Sequence, residues 1–288
     1  MIPAGEIISG IFSGTWSKTS WEQIILNYRL PKSLVAIFAG IGLSLSGLQM
    51  QTFFRNPLAG PFVLGISSGA GLGVAILMLA GSAFGFALSG VNSWAIAFAG
   101  ILGAGLVLSA VSLAAWKVKD SMTLLIVGLM FGSAVSAVIS VLSYFSGAEA
   151  LKLFTVWSMG SLGGLGWTQV SILGILIALG CIPVFASIKS YNALLLGEAY
   201  AKSMGIRTEK MRWLMIGSTG ILAGGITAFC GPIAFIGIAV PHLARIVWKS
   251  SDHRILFPAS ALIGAILLLR CDAAGQFPGF ASTLPINA

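Results

Sequence analysis

Residues 34–54 read LVAIFAGIGLSLSGLQMQTFF, a stretch without a single charged side chain. A helix of roughly 20 mostly apolar residues crosses ~30 Å of hydrocarbon, so this segment is read as a membrane span. Working outward, comparable runs fill 62–81, 94–116, 123–146, 168–188, 213–230, 233–248 and 255–272. The run at 233–248 is short and contains Pro241, and is expected to cross only partly or as a broken helix. Small residues punctuate the runs, as in Gly40-Ile41-Gly42 and Ser67-Ser68-Gly69-Ala70-Gly71. Such faces let backbones approach where lipid gives helices no hydrophobic reason to associate, which predicts a packed bundle.

Composition agrees. Of 288 residues only 8% are charged while 57% are hydrophobic, and the mean hydropathy is +0.98. Soluble domains carry roughly 25% charge, so an ordinary soluble enzyme, a disordered chain and a nucleic-acid binder are all excluded. The net charge of +8 is explained by placement. With eight alternating spans, one set of loops holds Lys18, Arg29, Lys32 and Lys152. The other holds Arg55, Lys117, Lys119, Lys189, Lys202, Arg207, Lys210, Arg212, Arg245, Lys249 and Arg254. The richer set is expected in the cytoplasm, with both chain ends outside and residues 1–33 as an outer segment. No basic region precedes an apolar core in 1–33, so no signal peptide is expected.

Segment 189–212 (KSYNALLLGEAYAKSMGIRTEKMR) is the longest loop of the cation-rich set and reads as helix, glycine break, helix. It suits either a solvated connector or a docking platform for a cytoplasmic partner. There is also an internal echo. Gly60-Pro61-Phe62-Val63-Leu64-Gly65-Ile66 resembles Gly231-Pro232-Ile233-Ala234-Phe235-Ile236-Gly237-Ile238, and the two start on opposite sides, as inverted repeats of transporters do.

Catalytic chemistry is sparse. Cys181, Cys230 and Cys271 match no disulfide framework or zinc spacing and read as small apolar fillers. The chain lacks GxxxxGK[ST]. Its two histidines, His242 and His253, are expected near the cation-rich face, His242 capping or packing a helix end. Arg270 and Asp272 form the one close pair of charges within the spans, near the outer end of the last. A carrier driven by protons or ions normally holds a more central acid. Energy is therefore expected from a partner, although an ion-driven carrier and an intramembrane enzyme built on His242 remain as alternatives.

Several blocks resemble the FecCD-type permease family of ATP-binding-cassette importers for iron–siderophore complexes, haem and cobalamin. They are Arg29-Leu30-Pro31-Lys32, Gly47-Leu48-Gln49-Met50-Gln51, Arg55-Asn56-Pro57-Leu58-Ala59-Gly60-Pro61 and Leu64-Gly65-Ile66-Ser67-Ser68-Gly69-Ala70. Leu196-Gly197-Glu198, Met204-Gly205, Phe235 to His242 with Arg245, Asp252-His253-Arg254 and Leu284-Pro285-Ile286-Asn287 continue the series. The resemblance implies an all-α, polytopic type II importer permease, a single transmembrane domain over 1–288, in a bacterial inner membrane. The family's first span before residues 1–28 and its last after Leu284-Pro285 are missing here, so eight of its ten spans are expected.

It further implies the partners: a second copy of the chain, two cytoplasmic ATPase subunits that bind ATP and Mg, a periplasmic binding protein and a metal-chelate substrate. The chain itself needs only membrane lipid around it, and no cofactor. By resemblance Arg29 and Lys32 dock the binding protein. Gln276 stands where the family has a further docking arginine. Asn56, Pro57 and Leu58 form one cytoplasmic gate, with Asp120 and Ser121 at the second. Gly197, Glu198, Ala201, Met204 and Gly205 meet the ATPase, while Pro241, His242 and Arg245 belong to a structural motif.

Overall fold

The computed structural model describes residues 2–14, 16–80, 92–117, 121–276 and 284–287. Its axis is α2 (Thr19–Phe54), which follows a short α1 (Ala4–Ser13). Residues 19–33, expected as an outer segment, are helical and continuous with the helix of the first span, with a π-helical stretch at Ile25–Arg29. From Val35 to Phe54 nearly every side chain of α2 is buried. Glycine makes this burial possible. A Cβ at Gly40 would lie 2.3 Å from the carbonyl oxygen of Gly264, and one at Gly47 would lie 1.7 Å from that of Gly237. Helix backbones thus touch directly. The hydroxyls of Ser44, Ser46 and Thr52 bond to carbonyls of Gly40, Leu43 and Leu48 on their own helix, so they are satisfied in an apolar setting.

Around α2 stand α4 (Ser93–Lys117), α5 (Ser121–Phe145), α7 (Trp167–Ala186), α10 (Thr208–Cys230) and α12 (His253–Gly275). With α2, six helices among the described residues are long and apolar enough to cross a membrane. Two shorter apolar helices, α3 (Ile66–Ala80) and α11 (Ile236–Trp248), occupy two of the eight expected spans. A helix of 13 residues such as α11 covers about 20 Å, short of the hydrocarbon thickness. An unexpected helix, α6 (Ala148–Ser158), fills part of the loop at 147–167.

Why α3 and α11 begin late is written in the echoed Gly-Pro segments. Pro61–Leu64 forms one 3-10 turn and ends at Gly65, whose φ of 72° is left-handed and suits a residue without Cβ. In the other copy the chain runs non-helically from Gly231 to Phe235 before α11 begins. The two breaks meet inside the bundle. A Cβ at Gly237 would strike Pro61 Cδ at 2.7 Å and the Leu43 carbonyl oxygen at 3.0 Å, and one at Gly60 would touch Ile238. Leu43 is midway along Leu30–Phe54, so both short helices start near the middle of the bundle. From there α3 runs along α4 toward Ala99, and α11 runs back toward the end of α2. Non-helical backbone at this depth is tolerated because protein surrounds it.

Candidate functional site

The end of the bundle where α2 finishes carries α8 (Ile188–Leu195) and α9 (Glu198–Ser203), the helix–break–helix expected for 189–212. Tyr191, Ala193, Leu194 and Ala201 turn inward and are buried. The outward rim is apolar yet open: Leu196 is 65% exposed, Tyr200 51% and Met204 59%. Gly197 joins the helices at φ 115° beside Arg55, and Gly205 closes α9 at φ 82°, its amide donating to Lys202 O at 3.0 Å. Glu198 sits in the first turn of α9, where a carboxylate favours the helix dipole. Burial pushes the Tyr191 phenol above its usual range, and its hydroxyl donates to Gln49 Oε1 at 2.7 Å. Thus all five expected coupling residues lie on one platform, while Leu196 and Tyr200 gain their meaning only from exposure.

The first gate segment adjoins this platform. Arg55 caps α2 in a left-handed conformation, and Asn56 Oδ1 accepts the Leu58 amide at 2.9 Å, turning the chain. Pro57 and Leu58 are exposed. Ser121 opens α5, whereas Asp120 lies outside the described residues.

Pro241 is buried within α11, and Arg245, one turn further on, reaches α2: its Nη1 donates to Gln51 Oε1 at 2.5 Å. Gln51 in turn donates through Nε2 to Ile238 O at 3.2 Å, a second bond between α2 and α11. His242 was expected at a helix end, but it stands midway along α11 and is exposed. Residues two apart project to different faces, and the expected Arg270–Asp272 pair fails for that reason. Asp272 instead binds Lys32 Nζ at 2.8 Å and accepts from Gln276 Nε2 at 2.6 Å. The opposite end of the bundle therefore gathers Lys32 and Gln276 around one carboxylate, with Arg29 exposed one turn before Lys32. Beside them is a cavity of about 490 Å³, lined in part by Gly160 and Ile286. There Asn287 clamps the non-helical 231–235 segment, accepting from Ala234 N and donating to Pro232 O. Among the described residues no group of three His, Cys, Asp or Glu is placed to hold a metal ion.

Comparison with known proteins fits this arrangement. The pattern of the FecCD transport family matches residues 1–288. The chain belongs to the FecCD transport family. It is 35% identical over 277 residues to the vitamin B12 import system permease protein BtuC of Citrobacter koseri, covering 96% of this chain and 82% of that one. A solved inward-facing conformation of an ABC transporter described as of metal-chelate type superposes with a TM-score of 0.85 at 29% identity, covering 96% of this chain and 86% of the other. PsaBC from Streptococcus pneumoniae, solved in complex with Fab, shares the fold at 15% identity and a TM-score of 0.63, covering 93% of this chain and 88% of the other. The resemblance read from the motif blocks and the all-α membrane fold are both borne out, and the chain is a multi-pass membrane permease of a transport family.

Proposed function

We propose that the chain is the membrane subunit of an ATP-binding-cassette importer that moves a metal chelate, of cobalamin, siderophore or haem type, from periplasm to cytoplasm. Two copies line the path in a bacterial inner membrane, two ATPase subunits hold ATP and Mg beneath them, and a binding protein delivers cargo from above. The observation that carries this reading is the platform of α8 and α9, with its buried inner face and its open rim of Leu196, Tyr200 and Met204. Such a rim suits a protein partner rather than water. The buried polar side chains of the described spans include no Asp or Glu, which agrees with energy supplied from outside the chain. Uptake of labelled cyanocobalamin, a ferric siderophore and haem, by cells carrying the chain with its ATPase and binding protein, tests the function. One of the three is expected to accumulate. Accumulation of none would overturn the assignment.

Binding-protein docking falls to Arg29 in this reading, because Lys32 is already paired with Asp272. Arg29→Glu is expected to lower binding-protein affinity about tenfold at low salt, and the difference should shrink as salt screens charges over roughly 8 Å. Lys32→Glu would oppose Asp272 and disturb the permease itself, so it is the poorer probe. Titration of the purified binding protein onto the Arg29→Glu permease reads the effect, and equal affinity at low salt would remove Arg29 from the docking surface.

A further inference from the structure

The platform is fastened to the bundle by a chain of hydrogen bonds that the motif blocks did not reveal. Asn192 of α8 donates from Nδ2 to Asp252 Oδ1 at 2.6 Å, and its Oδ1 accepts the backbone amide of His253 at 2.8 Å. The Asp252 carboxyl lies below its usual range because the Arg254 amide and then Asn192 bond to it, so it is an ionised acceptor. A carboxylate only accepts and a backbone N–H only donates, which fixes the amide of Asn192 in one orientation. His253 Nδ1 is 2.8 Å from that same Oδ1 and must therefore carry a proton.

Nε2 of the ring lies 2.8 Å from the Thr52 hydroxyl on α2, which also bonds to the Leu48 carbonyl. His253 is 1% exposed, so this is an interior joint. One turn along α2, Gln49 takes the Tyr191 hydroxyl, and the Tyr191 ring packs on His253 and Phe257 with centroids 5.5 and 5.0 Å apart. Helix α8 is thus held to α2 through Tyr191 and to the start of α12 through Asn192, and His253 ties that turn of α12 back to α2. The last two turns of α2 also hold α11, through Gln51 and Arg245.

We propose that Asn192 and His253 are positioning residues that make α8 move as one body with the inner ends of α2 and α12, so that displacement of the platform reaches the spans. This rests on the importer reading above. Without the joint, a push on α9 would be absorbed by the loop; with it, the push is delivered to the helix that contacts α11 and α12 along its length.

The test exploits the polarity of the pair. Asn192→Asp faces Asp252 with a second carboxylate and loses the donor, whereas Asn192→Asp combined with Asp252→Asn restores one donor and one acceptor in reversed order. In the purified permease without ATPase, hydrogen exchange of the 188–195 amides is expected to speed up about tenfold in the single variant and to return in the double. In the complex with ATPase, chelate transported per ATP hydrolysed is expected to fall about fivefold in the single variant and recover in the double, while basal hydrolysis persists. Should the single variant fail to accumulate in membranes, Tyr191→Phe, which removes only the bond to Gln49, is measured with expected changes of about threefold.

Unchanged protection of 188–195, or an unchanged transport ratio once protection is lost, would overturn the proposal. Absence of ATP-driven uptake by the unmodified complex would instead remove the importer reading and the transmission with it. The exchange measurement would still report whether the joint exists.

Discussion

Replacing Gly205 by Pro is expected to abolish chelate-stimulated ATP hydrolysis while leaving insertion of the permease intact. Gly205 sits at φ 82°, and proline is locked near −65°, so the backbone that closes α9 cannot form. The substitution also removes the amide that donates to Lys202 O. Together these cost about 3 kcal/mol or more locally. Nothing lies within 4 Å of a Cβ built at Gly205, so the damage is conformational and confined to the platform. Gly205→Asn, which tolerates the left-handed region, should keep most of the stimulation, and Gly205→Ala should fall between. Hydrolysis assayed in reconstituted complexes, alongside membrane yield, separates these outcomes. Full stimulation in the proline variant would exclude the closing turn of α9 from ATPase coupling.

A second large effect is expected deep in the bundle. Gly47→Leu places a Cβ 1.7 Å from the carbonyl oxygen of Gly237, and that obstacle is backbone rather than a side chain free to turn away. Overpacking ordinarily costs about 1–3 kcal/mol, and a backbone clash belongs at or above the top of that range. Helix α11 would have to leave α2, breaking the Gln51 bonds to Ile238 and Arg245 on the way. Folded yield and thermal midpoint in detergent should both collapse. Gly105→Ala, where nothing lies within 4 Å, should match the original protein or slightly exceed it, since alanine favours helix. A Gly47→Leu permease with unaltered yield and midpoint would contradict the direct contact of these two backbones.

Much of this architecture was legible in the sequence because one strong rule, apolar length against hydrocarbon thickness, governs long helices. The small residues of the runs predict a closely packed bundle, and Gly40 and Gly47 are where other helices touch α2. The same rule missed where the helix in 62–81 begins. Hydropathy counts apolar residues and is blind to a left-handed Gly65 after Pro61, which starts α3 only at mid-depth. The Gly-Pro echo held the necessary signal, since Pro lacks the amide a helix needs.

Within the platform, Gly197, Glu198, Ala201, Met204 and Gly205 were found through motif resemblance, and their glycines prove to be backbone requirements. Asn192, Tyr191 and Thr52 escaped notice because nothing in linear order joins residue 52 to 192 and 253; only the crossing of α2, α8 and α12 does. Gln49, Gln51 and Thr52, three polar side chains closing an apolar span, were the available hint. Asp272 was misassigned for a related reason: proximity in sequence to Arg270 counted, but helical phase turned it toward Lys32.

The central claim is that this permease is driven through its platform by a separate ATPase and has no ion-coupled mechanism of its own. The most direct measurement compares chelate uptake by vesicles holding permease, ATPase and binding protein when energised by ATP alone or by an ion gradient alone. The account predicts accumulation with ATP and none with the gradient, whether or not the ATPase is present. Gradient-driven uptake by vesicles that lack the ATPase would contradict it.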